Sequence, residues 1–184
     1  MRVKGLAVQS ISQFVRKKFP LRYDEWLRSL PPIAQGIFLN PLVSSEWYDL
    51  NDAMSIPTRK LCDLFYKGGL EGAWECGKFS ADQALSGIYK VFVRLGSPGF
   101  IINRATSLFT TYYSPSALKI VTNEKHHAAV QVVQFADINP MVEHRIGGWM
   151  ERVLEISGCR GISLKITRAI SSGHPVTEYD ARWQ

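Results

Sequence analysis

The sequence predicts an α+β fold: an N-terminal helical lobe packed with a C-terminal four-stranded antiparallel sheet that carries a crossover helix. Three observations predict it. Up to about residue 113 apolar residues recur at three- and four-residue steps. Beyond that point the dominant period is two, the signature of strands with one buried face. Asn139-Pro140, a cap followed by proline at the first helical position, starts a helix between two strand pairs.

The first helix is expected over residues 3–18, where Val3, Leu6, Ala7, Ile11, Phe14 and Val15 share one face, and Phe19-Pro20 ends it. A second, at 22–30, gathers Tyr23, Trp26, Leu27 and Leu30 and stops at Pro31-Pro32. Residues 31–50 read as a connecting region with one aromatic anchor, Trp47-Tyr48-Asp49-Leu50. Thr58 is placed as the cap of a helix to Tyr66, closed by Gly68-Gly69. Ser80-Ala81-Asp82-Gln83 has capping-box spacing, which predicts a helix over 81–95 with Ala84, Leu85, Ile88, Val91, Phe92 and Leu95 on its apolar face. After the break at Gly96-Ser97-Pro98, another helix covers 98–110.

Leu118–Val121 and Ala128–Phe135 read as strands joined by a turn around Asn123-Glu124-Lys125. The helix of residues 140–157 follows, with Val142, Ile146, Trp149, Met150 and Val153 on one side. Residues 162–169 and 177–183 alternate apolar and polar and form a closing hairpin around Gly173 and His174-Pro175. Two glycines inside the 140–157 helix, Gly147-Gly148, cost about 1 kcal/mol each against alanine. They imply close backbone approach, to the sheet or to another chain.

The chain has 184 residues, 46% hydrophobic and 21% charged, which suits one domain over 1–184 and excludes a disordered, collagenous or disulfide-scaffold protein. The formal net charge is +6. Residues 1–28 hold seven basic side chains against two acidic ones, so the basicity belongs to one end and the remainder is nearly neutral. Nucleic-acid binding is not expected, because the basic residues lack a reading helix or stacking aromatics. Arg16, Lys17 and Lys18 close a helix, where cations are favoured by the helix dipole, and form a candidate surface docking patch.

Cys62, Cys76 and Cys159 are odd in number and lack C-x-x-C spacing, so free buried thiols in a reducing compartment are expected. No apolar run approaches the ~18–20 residues that span a bilayer. A cytoplasmic protein without stable membrane insertion is therefore expected. His126, His127, His144 and His174 show no metal-ligand spacing, and no metal is predicted. No catalytic constellation is visible. Glu151 and Glu155 read as a solvated helix face, and Gly68-Gly69-Leu70-Glu71-Gly72 lacks the Lys-Ser/Thr of a phosphate loop.

Val3-Lys4-Gly5 opens an amphipathic helix ending in Phe14-Val15-Arg16-Lys17-Lys18-Phe19. Glu71-Gly72-Ala73-Trp74-Glu75-Cys76-Gly77 leads to Tyr89-Lys90-Val91-Phe92. Helix 98–110, a hairpin, the helix Ile146–Ile156 and a hairpin ending at Trp183 follow. This order resembles the haem–nitric-oxide-binding (H-NOX) fold, shared with 4-vinyl-reductase-like domains and TRAPP vesicle-tethering subunits. It is nearest to bacterial paralogous families of unknown function. In haem-binding members a proximal histidine precedes the sheet and a Tyr-x-Ser-x-Arg motif holds the propionates. Residues 97–113 contain no histidine, and Tyr112-Tyr113-Ser114-Pro115-Ser116 ends in serine, so no haem and no other cofactor is expected.

The resemblance implies an apolar cavity between helices and sheet. The faces that should meet there carry Ile88, Phe92, Phe100, Arg104, Leu108, Tyr112, Trp149 and Val153, with Arg104 placed to hold an anionic group. It implies a non-enzymatic small-molecule-sensing or protein-interaction module in bacterial signalling, a homodimer with an apolar small molecule or a protein as partner. The competing readings are a haem gas sensor using Tyr112, Tyr113, Cys76 or His144 as axial ligand, and an enzyme on a tetrapyrrole-like substrate.

Overall fold

In the computed structural model, which describes residues 1–85 and 98–184, the chain starts with a strand where a helix was predicted. β1 (Arg2–Lys4) lies between β2 (Trp47–Asp49) and β3 (Tyr113–Ser114) in a small antiparallel sheet. Val3 faces Tyr48 on one side and Tyr113 on the other and is fully buried. Its apolar side chain therefore serves the sheet, and α1 (Gly5–Lys18) begins two residues later than the periodicity suggested. A side chain at Gly5 would stand 2.0 Å from the Val43 carbonyl oxygen, so the helix start is pressed directly onto backbone. Ala7, Val8, Ile11, Phe14 and Val15 bury the inner face of α1.

Residues 31–50 are more ordered than a connector. Pro32, at the first turn, opens α3 (Pro32–Leu39), after α2 (Tyr23–Ser29), and β2 follows. Thr58 caps nothing. One π-helical turn, Asn51–Ser55, runs straight into α4 (Ile56–Phe65), and Thr58 is buried inside it. The capping is done upstream by Asp49, whose carboxylate accepts the amides of Asn51 at 2.9 Å and Asp52 at 3.1 Å.

The start of the predicted helix over 81–95 is corrected too. α5 spans Glu71–Ala84 and passes through Ser80, so the capping-box residues form its last turn; residues 86–97 lie outside the described part of the chain. α6 (Pro98–Tyr112) then leads into β4 (Ser116–Glu124) and β5 (His127–Phe135). α7 (Pro140–Ile156) crosses to β6 (Ser163–Arg168) and β7 (Thr177–Arg182). Asn139 caps α7 as predicted, accepting the amides of Met141 and Val142. The sheet order β4-β5-β7-β6, antiparallel throughout, joins the two hairpins through Val130 opposite Tyr179.

α5 and α7 pack backbone against backbone. A methyl group on Gly148 would lie 2.0 Å from the Trp74 carbonyl oxygen, and one on Gly77 2.1 Å from that of Arg145. The glycines predicted to meet the sheet or another chain therefore meet a neighbouring helix. Around this dry contact Trp74 donates to Glu151 at 2.6 Å, Lys78 pairs with Glu155 at 2.7 Å, and Arg152 bridges Asp82 and Glu155. The two glutamates expected on a solvated face are the seam's anchors.

Candidate ligand cavity

α6 and α7 lie over the inner face of the sheet without filling the space between them. One cavity of about 70 Å³ is walled by Ala105, Leu108, Phe109 and Tyr112 of α6 and by Arg145, Ile146, Trp149 and Met150 of α7. Ala7, Gly77, Ser80, Tyr113 and Leu118 complete its described walls. A second cavity of about 60 Å³ shares Ala105, Leu108, Trp149 and Met150 and extends toward Val153 and Leu164. Trp149 thus lines both spaces, with its ring 6.2 Å from that of Tyr112.

Of the residues predicted to line such a cavity, Leu108, Tyr112, Trp149 and Val153 are brought together here. Phe100 and Arg104 are not. Phe100 is half exposed, and the Arg104 guanidinium stacks 4.8 Å over its ring, away from the described walls. Ile88 and Phe92 lie outside the described residues.

The cation on the wall is Arg145, which sequence reasoning passed over. It is only 3% exposed. Its Nη1 donates to Cys76 Sγ at 3.1 Å and Thr58 Oγ1 at 3.4 Å, and its Nη2 to Ser10 Oγ at 3.1 Å and the Ala7 carbonyl at 3.2 Å. It therefore ties α1, α4 and α5 to α7. The signal was present in the sequence: Arg145 follows Met141 by four residues and precedes Gly148 and Trp149 by three and four, so it occupies the apolar stripe of its helix.

Burial governs the other ionisable groups nearby. It pushes the Cys76 thiol up, with Arg145 pulling the other way, and pushes Tyr113 up to about 12. Cys62 is pushed up to about 11, so these thiols and the phenol stay protonated at neutral pH. All three cysteines are free and buried, as expected. Two residues before Arg145, Glu143 is equally hidden and turns the other way. It accepts the backbone amide and hydroxyl of Ser171 and the hydroxyl of Thr177, while Tyr179 donates to its carbonyl at 2.9 Å.

The histidines stay apart. His127 pairs with Asp180 at 2.6 Å on the sheet, and His144 bonds the Pro140 carbonyl on α7. Among the described residues no group of three or more His, Cys, Asp or Glu is gathered for a metal. The basic residues at the end of α1 are all exposed: Arg16 stacks 3.6 Å over Tyr23 and Lys17 lies 5.6 Å over Phe79. Among the described residues no helix is long and apolar enough to cross a membrane.

No protein-family model matches the chain, and no curated protein matches it by sequence. Its architecture is nonetheless that of solved H-NOX domains. An H-NOX protein from S. oneidensis in the Fe(II)NO ligation state is 13% identical, with a TM-score of 0.72 over 98% of this chain and 99% of that one. The Fe(II) unliganded H-NOX protein from K. algicida is 10% identical, with a TM-score of 0.71 over 98% and 96%. The Fe(II)CO H-NOX domain of Shewanella oneidensis is 12% identical, with a TM-score of 0.70 over 98% of both chains. The fold expected from the order of elements is therefore the fold observed.

Proposed function

We propose that this chain is a sensor-type module that binds a small apolar molecule between α6, α7 and the sheet, and does so without haem. The observation that carries the reading is the pair of apolar spaces that share Trp149 as a wall, in a fold whose solved neighbours include an H-NOX protein in the Fe(II)NO ligation state. The described residues do not fit a haem. The side chains on the described walls with iron-binding chemistry are Tyr112, Tyr113, Met150 and Tyr179, and burial holds Tyr113 and Tyr179 neutral. A haem also needs a pocket in the ~300–1,000 Å³ class of cofactor sites, several times what these cavities offer.

Ligand binding would be felt where the walls are shared. Met150 and Trp149 sit on α7, whose other face is locked to α5, so a molecule seated beside Trp149 acts on the same helix that holds the lobe to the sheet. The docking patch at Arg16, Lys17 and Lys18, and self-association of the module, belong to this reading as its outputs. No catalytic step is assigned.

A thermal-shift and native mass-spectrometry screen with benzene-sized apolar compounds tests it. Saturating ligand at about 100 times Kd should raise Tm by roughly 5–10 °C. Haem added to the purified protein should give no stoichiometric shift of the Soret band. A stoichiometric shift, abolished by Tyr112→Phe, would replace this reading with haem sensing through that tyrosine.

A further inference from the structure

We infer that the cavity recognises a compact apolar monocarboxylate, with the carboxylate held against the Arg145 guanidinium; the inference rests on the ligand-binding reading above and names the ligand's class. Arg145 is a buried cation without a counter-charge. All four of its hydrogen-bond partners among the described residues are neutral groups. Among the described residues it pairs with no carboxylate, and residues 86–97 contain no Asp or Glu at all. Glu143, the buried acid on the same helix, is directed to Ser171 and Thr177 instead. The Cys76 thiol, kept protonated by its burial, does not supply the missing charge either. A charge taken out of water is normally paired, so this position is set for an anion that the chain itself does not provide.

Arg145 is also one of the residues that line an otherwise apolar space, which fixes the rest of the ligand. Ala7 lines that space as well, and its carbonyl accepts both from Arg145 Nη2 and from the Ser10 hydroxyl at 2.7 Å. An incoming carboxylate therefore takes over the Nη2 donor without stranding the Ala7 carbonyl. The two adjoining cavities, about 70 and 60 Å³, set the apolar body near the size of a benzene ring or a short alkyl chain. For scale, a cavity of ~150 Å³ takes up benzene. Charge-assisted hydrogen bonds in a dry site then separate the carboxylate from its neutral isostere.

Calorimetric titration with benzoate and hexanoate, against benzyl alcohol and hexanol, tests the assignment on the full chain. The carboxylates should bind roughly 10- to 100-fold more tightly than the alcohols. Arg145→Met should abolish that preference and leave alcohol binding in place. Leu108→Trp, which fills the shared wall, should abolish binding of all four. Carboxylate and alcohol binding with equal affinity to the unmodified protein would overturn the inference and leave the ligand-binding reading standing. Absence of binding by all four would overturn both. Should Arg145→Met fail to fold, Arg145→Lys replaces it, and retention of full benzoate affinity without the planar fork overturns the assignment.

Discussion

A methyl group on Gly148 would meet backbone at 2.0 Å, and one on Gly77 at 2.1 Å, so the α5–α7 crossing leaves no room for a Cβ on either side at these positions. The neighbours are carbonyl groups, which cannot swing aside as a flexible side chain could. Gly148→Ala must therefore push two helices apart, and overpacking of this kind costs about 2–3 kcal/mol against a gain of about 1 kcal/mol in helix propensity. The expected net loss of about 1–2 kcal/mol is read as a lower urea midpoint with an unchanged slope. That glycines in a helix mark a close approach was legible in the sequence. Which surface approaches was not, because spacing along one helix carries no information about the partner. Arg145 teaches the converse: its place in the apolar stripe was visible, but the absence of a carboxylate around it emerges only when four helices are assembled.

Helices with a clean apolar period and an obvious stop, α6 and α7, were readable along most of their length. α5 was not. Gly72 and Gly77 made residues 71–77 look like a lead-in, and the S-x-x-Q spacing at Ser80 suggested a start where the helix was already under way. A capping box works only where the amides are free, and in the last turn of a helix they are committed to carbonyls four residues back. What α5 and α7 share is also titratable. Burial works to raise the Glu155 carboxyl, but hydrogen bonds from Lys78 and Arg152 outweigh it and hold the group below its usual range. Asp180 is likewise lowered, first by its hydrogen bond to His127. A carboxylate with a depressed folded-state pKa contributes stability above its unfolded value, near 4.5 for Glu155, and loses it as pH falls through the folded value. The urea midpoint should thus be flat from pH 7 to 5 and drop below about 4.5, and Glu155→Gln should make that acid limb shallower. An unchanged limb in the variant would exclude the seam as a source of acid sensitivity.

At the scale of the molecule, the helical lobe and the four-stranded sheet followed from the change of period near residue 113, and their order pointed to the H-NOX-like fold. The small sheet did not. Its strands are three, three and two residues long, too short for a period to register, and its pairing joins segments far apart in the chain. Val3 is its hub. Val3→Ala removes about two buried methylene equivalents and leaves a cavity, an expected loss of roughly 2 kcal/mol. Because Val3 touches both neighbours, amide exchange should quicken together at Tyr48 and Tyr113; acceleration at one alone would show that the strands open independently.

The position of β1 also bears on how the chain is made. Its partner at Trp47–Asp49 is synthesised soon after it, but Tyr113 follows roughly 110 residues later, which at ribosomal speed is about 5–20 s. For that interval one edge of the strand has no partner from its own chain. During translation the opening residues thus wait, half zipped, for the segment that links the last lobe helix to the sheet.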